Sequence, residues 1–448
     1  MARVMGAPRE DPANPTLYCY GLAVARGFSG WMRYAFERSI PALAVLLFAI
    51  VTIHVLYLKS FNLSYFWYGP MANLYSLTIS FYILSRFAIG ALYRTPSAPG
   101  FTPSVSVVVA CKNEEASISR TLECIYASDY PQDRLQVVCI NDGSTDGTLA
   151  EMERTRRRHP DLKIIDFPRN LGKRHGMAAG ARAARGEVLV YIDSDSFVRP
   201  DTIRYLVQGF ADPNVGAVCG HANVHNADEN MLTRMQQVRY YVAFCVVKAA
   251  ESIFSTVACC SGCLAAYRSS YVLEILDDWL NQRFLGTQAT FGDDRSLTNY
   301  MLRRFRVIYD RRAVCTTIVP ETYRTFFKQQ LRWKKSWVRE TFIGARFMWR
   351  RHPLAAGSYY LGAVFPILSP VVAFNALVLP LFGHAQLSLL YVYGASLMAL
   401  LYSLYYMGKH RDGLWIFGVV FCFFYMFVLV WQTYYALFTV RRNHWGTR

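Results

Sequence analysis

Hydrophobic positions follow two rhythms along this chain. Toward the ends they run on with few charges, over 40–58 and 70–92 on one side and over 357–382, 386–407 and 414–440 on the other. A helix needs about 20 predominantly apolar residues to cross roughly 30 Å of hydrocarbon, so these stretches predict membrane helices. From 103 to about 344 the rhythm changes, and short β-branched runs alternate with stretches of helical periodicity. The runs 104–110, 135–140, 163–167 and 188–192 read as strands buried on both faces and therefore parallel. The pattern predicts an open, doubly wound α/β domain inserted between membrane helices.

Charge orients the apolar stretches. Arg26, Arg33 and Arg38 precede the first, Arg346, Arg350 and Arg351 precede the third, and the loop between the first two has one cation, Lys59. Cytosolic loops carry the excess of Lys and Arg, so both ends of the first pair face the cytosol. The spans 357–382 and 386–407 return the chain inward at Lys409-His410-Arg411. A single crossing by 414–440 would strand Arg441, Arg442 and Arg448 outside. The expectation is that this stretch re-enters or lies in the inner interface, giving four crossings, although an apolar run of its length ordinarily spans once with tilt. The divisions are a cytosolic segment 1–37 with no cleavable-signal pattern, two spans in 38–93, a catalytic domain over 94–324, amphipathic interface helices in 325–352, a C-terminal membrane region 353–440, and a cytosolic tail 441–448.

Composition agrees and narrows the partners. Of 448 residues 53% are hydrophobic, and 48 Lys and Arg against 31 Asp and Glu leave a formal charge of +17. No basic stripe interleaved with aromatics stands clear of the apolar segments, which argues against nucleic acid and for lipid headgroups and an acidic substrate. Eleven cysteines, nine of them scattered through the central block, form no disulfide framework. Cys259, Cys260 and Cys263 have no second ligand pair at useful spacing, so they read as small buried residues beside a loop and not as a zinc site.

The candidate chemistry lies at strand ends, where open α/β sheets bind ligands. Asp193 and Asp195 follow the strand ending at 192, and two carboxylates so spaced can hold Mg²⁺ or Mn²⁺ against a nucleotide diphosphate. A lone pair of this kind is as readily a solvated acidic turn. Asp142, in Asn141-Asp142-Gly143-Ser144, can accept hydrogen bonds from a base or ribose, and Lys112, Asn113 and Glu114 can meet a base edge. Lys173 stands in a basic loop suited to phosphate. Asp293 and Asp294 open a helix over 296–302, where each can cap the helix or face the ligand, and Asp294 is the candidate base for an acceptor hydroxyl. Gln329, Arg332 and Trp333 lie on an amphipathic stretch that places Phe326, Trp333 and Trp337 on one face.

These signatures, in this order, resemble the processive family-2 glycosyltransferases, the group of cellulose, chitin and hyaluronan synthases. Phe291-Gly292-Asp293-Asp294-Arg295-Ser296-Leu297-Thr298-Asn299, residues 280–286 and the terminal Trp445-Gly446-Thr447-Arg448 most resemble hyaluronan synthases. The resemblance implies a GT-A fold, UDP-GlcNAc and UDP-GlcA as donors, a growing polysaccharide as acceptor, and a multi-pass protein of the cell membrane with its catalytic domain in the cytosol. It implies that Asp142 contacts uridine, that Asp193 and Asp195 bind diphosphate and metal, and that Asp294 is the base. Gln329, Arg332 and Trp333 would hold the diphosphate and acceptor, and Trp445, Thr447 and Arg448 would belong to a gating segment. One departure is Cys263, in Ser261-Gly262-Cys263, where hyaluronan synthases carry proline. Chitin-oligosaccharide synthases share a cysteine-rich approach to this loop, so a synthase using UDP-GlcNAc alone is the alternative, with a single-transfer lipid glycosyltransferase behind it. Four crossings make a thin wall for a polymer channel, which leaves room for a homodimer.

Overall fold

The computed structural model describes residues 70–378, 386–410 and 412–442, together with 46–47, 49–50, 53–54, 57 and 382. The segment 1–37, most of the first expected span, and Trp445, Thr447 and Arg448 lie outside the described residues.

The centre is an eight-stranded sheet, in the order β3-β2-β1-β4-β7-β6-β10-β5. Strands β1 (Val105–Cys111), β2 (Leu135–Asn141), β3 (Lys163–Asp166) and β4 (Val188–Tyr191) form its parallel half. Strands β1, β2 and β4 are buried almost throughout, which is why their sequences read as continuous apolar runs. The other half corrects the all-parallel expectation. Strand β7 (Ala265–Arg268) runs antiparallel to both β4 and β6 (Val215–Val224), and β10 (Arg306–Thr317) joins β6 in parallel and β5 (Ser196–Val198) in antiparallel. A separate hairpin pairs β8 (Arg283–Phe284) with β9 (Thr287–Gln288).

Helices cover the sheet and extend beyond it. The described ones are α1 (Pro70–Ala91), α2 (Ile118–Tyr126), α3 (Thr148–Arg158), α4 (Lys173–Ala183), α5 (Thr202–Gln208), α6 (Met231–Val242), α7 (Ser269–Leu280) and α8 (Asp293–Arg304). Helix α6 runs on through a π-helical turn, Ala243–Lys248, into Ala249–Ile253. Then come α9 (Tyr323–Met348), α10 (Pro353–Ala373), α11 (Gln386–Met407), α12 (Ile416–Phe424) and α13 (Gln432–Phe438).

Among the described residues α10 is the one single helix long and apolar enough to cross a membrane, and α12 with its π-helical extension to Leu429 passes only together with α13, bent by 47°. Helix α1 and α11 have the bounds expected of spans, but their described apolar stretches are shorter, Thr78–Ala91 and Val392–Met407. Polar contacts pair α1 with α10: Arg86 Nη1 donates to Ser358 Oγ at 2.7 Å, and the Tyr75 and Ser369 hydroxyls meet at 2.9 Å.

Candidate active site

The order β3-β2-β1-β4 reverses direction at β1, and such a switch point opens a crevice at the carboxyl ends of the flanking strands. Cys111 at the end of β1 is in register with Asn141 of β2, so Asp142 and Asp193 emerge on either side of β1. A cleft of about 1050 Å³ opens there. It is lined by Lys112, Asn113, Glu114, Asp142, Lys173, Asp193, Asp195, Asp293, Asp294, Gln329, Arg332 and Trp333. Every sequence-predicted site residue that is described therefore shares one cavity.

Their local roles differ. Buried Asp142 accepts the Leu171 and Gly172 N–H groups, at 2.7 and 2.9 Å, so its carboxylate shapes the loop that leads to Lys173. Gly143, at φ +62°, permits that approach, since a Cβ there would lie 2.4 Å from the Arg169 carbonyl carbon. Asn113, at φ 55°, accepts the Thr145 N–H at 2.9 Å and so joins the ends of β1 and β2.

Lys173, at the start of α4, pairs with Asp193. Asp195 stands nearby, and burial together with the Asp193 charge pushes its carboxyl up to about 7. Two facing carboxylates, one of them hard to ionise, form a hard oxygen donor set that a divalent cation would relieve, so the residues fit Mg²⁺ or Mn²⁺.

Helix α8 begins at Gly292, whose φ of +75° turns two acidic residues into its first turn, where the helix dipole favours them. The two diverge. Asp293 is buried and held by Arg174 Nε at 2.7 Å, with Arg174 stacked on Trp279 and donating to the Trp279 carbonyl at 3.0 Å. Asp294 accepts only light contacts from the described residues, the Arg295 N–H at 2.8 Å and the Cys259 thiol at 3.5 Å. Asp294 is thus the carboxylate of this pair less committed to the scaffold.

One helix, α9, carries Gln329, Arg332 and Trp333 along the cleft, where 325–352 was expected to hold interface helices. Trp333 is fixed against Tyr240, ring centroids 6.5 Å apart, and under the Arg239 guanidinium at 5.4 Å. Burial holds Arg332 below the ordinary arginine range.

Sequence reasoning missed the residues that hold these parts together. Arg174, Arg239, Lys248 and Glu340 are charged and lie on helices, where charge ordinarily signals a solvated face. All ten described cysteines are free, and no group of three or more metal-ligating side chains occurs among the described residues.

The family model for glycosyltransferase like family 2 matches residues 103–336. A hyaluronan synthase of Streptococcus pyogenes is 31% identical over 385 residues, covering 84% of this chain and 90% of the relative. An N-acetylglucosaminyltransferase of Mesorhizobium japonicum is 34% identical over 63% of this chain and 66% of its own. The solved mannosyltransferase of Pyrobaculum calidifontis, in complex with GDP-Man and Mn²⁺, covers 80% of this chain and 98% of its own, with a TM-score of 0.58 and 23% identity. That last likeness speaks for a GT-A-like fold, and the sequence matches for the family: the chain belongs to the family-2 glycosyltransferases and is similar over most of its length to hyaluronan synthase.

Proposed function

We propose that this chain is a processive, inverting synthase that polymerises UDP-GlcNAc and UDP-GlcA into hyaluronan and passes the polymer across the cell membrane. The observation that carries the reading is the single cleft in which the Asp193–Asp195 pair, Asp294 and the Trp333 face meet beside the apolar helices. A single-transfer enzyme has no need of an aromatic platform continuing toward α10.

In this reading the uridine lies over Lys112, Asn113, Glu114 and the Asp142 loop, with Lys173 and Arg332 toward the diphosphate. Asp193 and Asp195 would hold Mg²⁺ or Mn²⁺, which when bound offsets the charge of the leaving diphosphate. Asp294 takes the proton of the acceptor hydroxyl as that oxygen bonds to the anomeric carbon from the face opposite the diphosphate. The bond from that carbon to the diphosphate breaks, UDP leaves, and an α-linked donor becomes a β-glycoside. The indole face of Trp333 carries the acceptor sugar by stacking, and the terminal segment with Trp445, Thr447 and Arg448 closes over the nucleotide. The catalytic domain faces the cytosol, the stretch 40–58 with α1, α10 and α11 makes four crossings of the membrane, and a homodimer would thicken the wall of the polymer channel.

Cys263 favours a second reading, synthesis of chitin or chitin oligosaccharides from UDP-GlcNAc alone. UDP release by the purified protein, with Mn²⁺ or Mg²⁺ and with each donor singly and both together, separates the two. Turnover only with both donors and a hyaluronidase-sensitive product is the expected result. Sustained turnover with UDP-GlcNAc alone and a chitinase-sensitive product establishes the alternative.

A further inference from the structure

The loop from Thr256 to Cys263 touches both acidic centres of the cleft. The Cys259 thiol donates to Asp294 Oδ2 at 3.5 Å, and the Cys260 N–H donates to Thr298 Oγ1 at 2.9 Å, one turn further along α8. Gly262 lies so close to Asp193 that a Cβ there would stand 3.1 Å from a carboxylate oxygen. The hydrogen bonds run to α8, whereas Gly262 only approaches Asp193, so a shift of this loop acts first on the surroundings of Asp294.

One face of the helix continuing from α6 straps the loop from behind. Lys248, at the end of the π-helical turn, donates to the Cys259 carbonyl at 2.6 Å, to Ser261 Oγ at 2.8 Å and to Cys219 Sγ at 3.1 Å. Those are all the donors an ammonium has, so Lys248 is committed to the scaffold and has none left for a ligand. Three residues on, and so on the same helix face, Glu251 holds the start of the loop. Its Oε2 accepts the Ala258 N–H at 3.1 Å and its carbonyl the Thr256 N–H at 3.1 Å. A π-helical turn inside an α-helix commonly marks a functional site, and here it sets the register in which Lys248 reaches the loop.

Lys248 is only 9% exposed and sits over the Phe244 ring at 4.4 Å. A buried ammonium needs a counter-charge. Cys219, fully buried on β6, is in contact with it. Burial pushes that thiol up, but the Cys260 hydrogen bond and the Lys248 charge outweigh it and hold Cys219 below the ordinary thiol range.

We propose that Lys248, through its three contacts to Cys219, Cys259 and Ser261, is the positioning residue of the 256–263 loop, setting where the acceptor hydroxyl stands relative to Asp294. The inference rests on the proposed function, in which Asp294 takes the acceptor's proton, so that the loop whose Cys259 touches Asp294 borders the acceptor. A loop set wrongly leaves the donor bound and lets water take the acceptor's place.

The test measures UDP released and sugar incorporated in parallel, on the purified full chain, with UDP affinity determined by calorimetry. In the wild type the two rates are expected to agree. Lys248→Met is expected to lower incorporation by about tenfold or more while UDP affinity stays within about twofold, so that UDP released per sugar incorporated rises. Cys219→Ala, which removes one of the three Lys248 contacts, should reproduce that uncoupling, and Cys219→Asp, which sets a carboxylate against Lys248, should reverse most of it. Should Lys248→Met fail to fold, Ser261→Ala removes one of the three contacts without opening a core cavity and is expected to uncouple in the same sense. Incorporation by the folded variants within about threefold of wild type at an unchanged ratio overturns the proposal. A parallel loss of incorporation and UDP affinity also overturns it, as a general structural defect. A wild-type chain that turns over no donor overturns the functional reading itself, and this inference with it.

Discussion

Asp294 and Asp293 are adjacent, yet their environments assign them different work. Arg174 takes up the Asp293 carboxylate at 2.7 Å inside the protein, whereas Asp294 meets a backbone N–H and a thiol at the cleft. Asp294→Asn keeps the shape and removes the proposed base, so UDP release should fall by about 10²–10⁴-fold with UDP affinity retained. Retained turnover would move the base elsewhere in the cleft. Asp195 carries a pH dependence whose sign follows from its environment. Its carboxyl is raised in the folded chain to about 7 from the ordinary 3.8. Its contribution to stability is therefore fully present below pH 3.8 and is lost as pH rises through about 7. The proposed divalent cation would bind the ionised form and compete with that proton. Calorimetry should accordingly show Mn²⁺ affinity weaker by about tenfold at pH 6 than at pH 8, and Asp195→Asn should abolish the dependence together with most of the affinity. Affinity that does not change with pH would remove Asp195 from the donor set.

At the scale of elements, α9 is locked to α8 by one buried carboxylate. Glu340 accepts from Arg339 Nε at 2.7 Å, Gln282 Nε2 at 3.1 Å and Asn299 Nδ2 at 2.9 Å, with Glu340 and Arg339 side chains 0% and 4% exposed. Glu340→Ala leaves Arg339 charged and buried without its partner. A loss of about 3–5 kcal/mol is expected, read as a lower urea midpoint in tryptophan fluorescence. An unchanged midpoint would mean that α9 is held by its apolar contacts alone. This lock also shows where the sequence was legible. Strands β1, β2 and β4 announced themselves because burial on both faces leaves continuous β-branched runs, and Asp142, Asp193 and Asp195 did so because they sit where such strands end. Strand β10 did not, because Arg306, Asp310, Arg311 and Arg312 interrupt its apolar pattern, and β7 is only four residues long. Glu340, Arg174 and Lys248 were illegible for a different reason: a charge on a helix reads as solvated until the fold supplies a buried partner.

At the scale of the whole molecule, the decisive geometry is how the chain ends. Helices α12 and α13 are bent by 47° around Val430 and Trp431, which frees carbonyls that a straight helix would satisfy. Lys334 of α9 donates to the Leu429 carbonyl at this bend, Gln432 Nε2 donates to the Phe327 carbonyl at 3.4 Å, and Lys335 Nζ reaches the Arg442 carbonyl at 3.3 Å. The bent segment is thus tied along its length to the helix that carries Arg332 and Trp333. A bend of this size fits a re-entrant turn, and the ties at Leu429, Gln432 and Arg442 keep the bend and the chain beyond it beside α9. Burial and the Arg239 charge hold Lys334 down to about 7, so its donation to Leu429 persists in either protonation state. The expected topology is re-entry, with residues 441–442 on the cytosolic side of the membrane. A membrane-impermeant maleimide should leave Arg442→Cys unlabelled in intact cells and label it in inverted vesicles. Labelling in intact cells would establish a fifth crossing, and with it a terminal segment too far from the nucleotide to gate it.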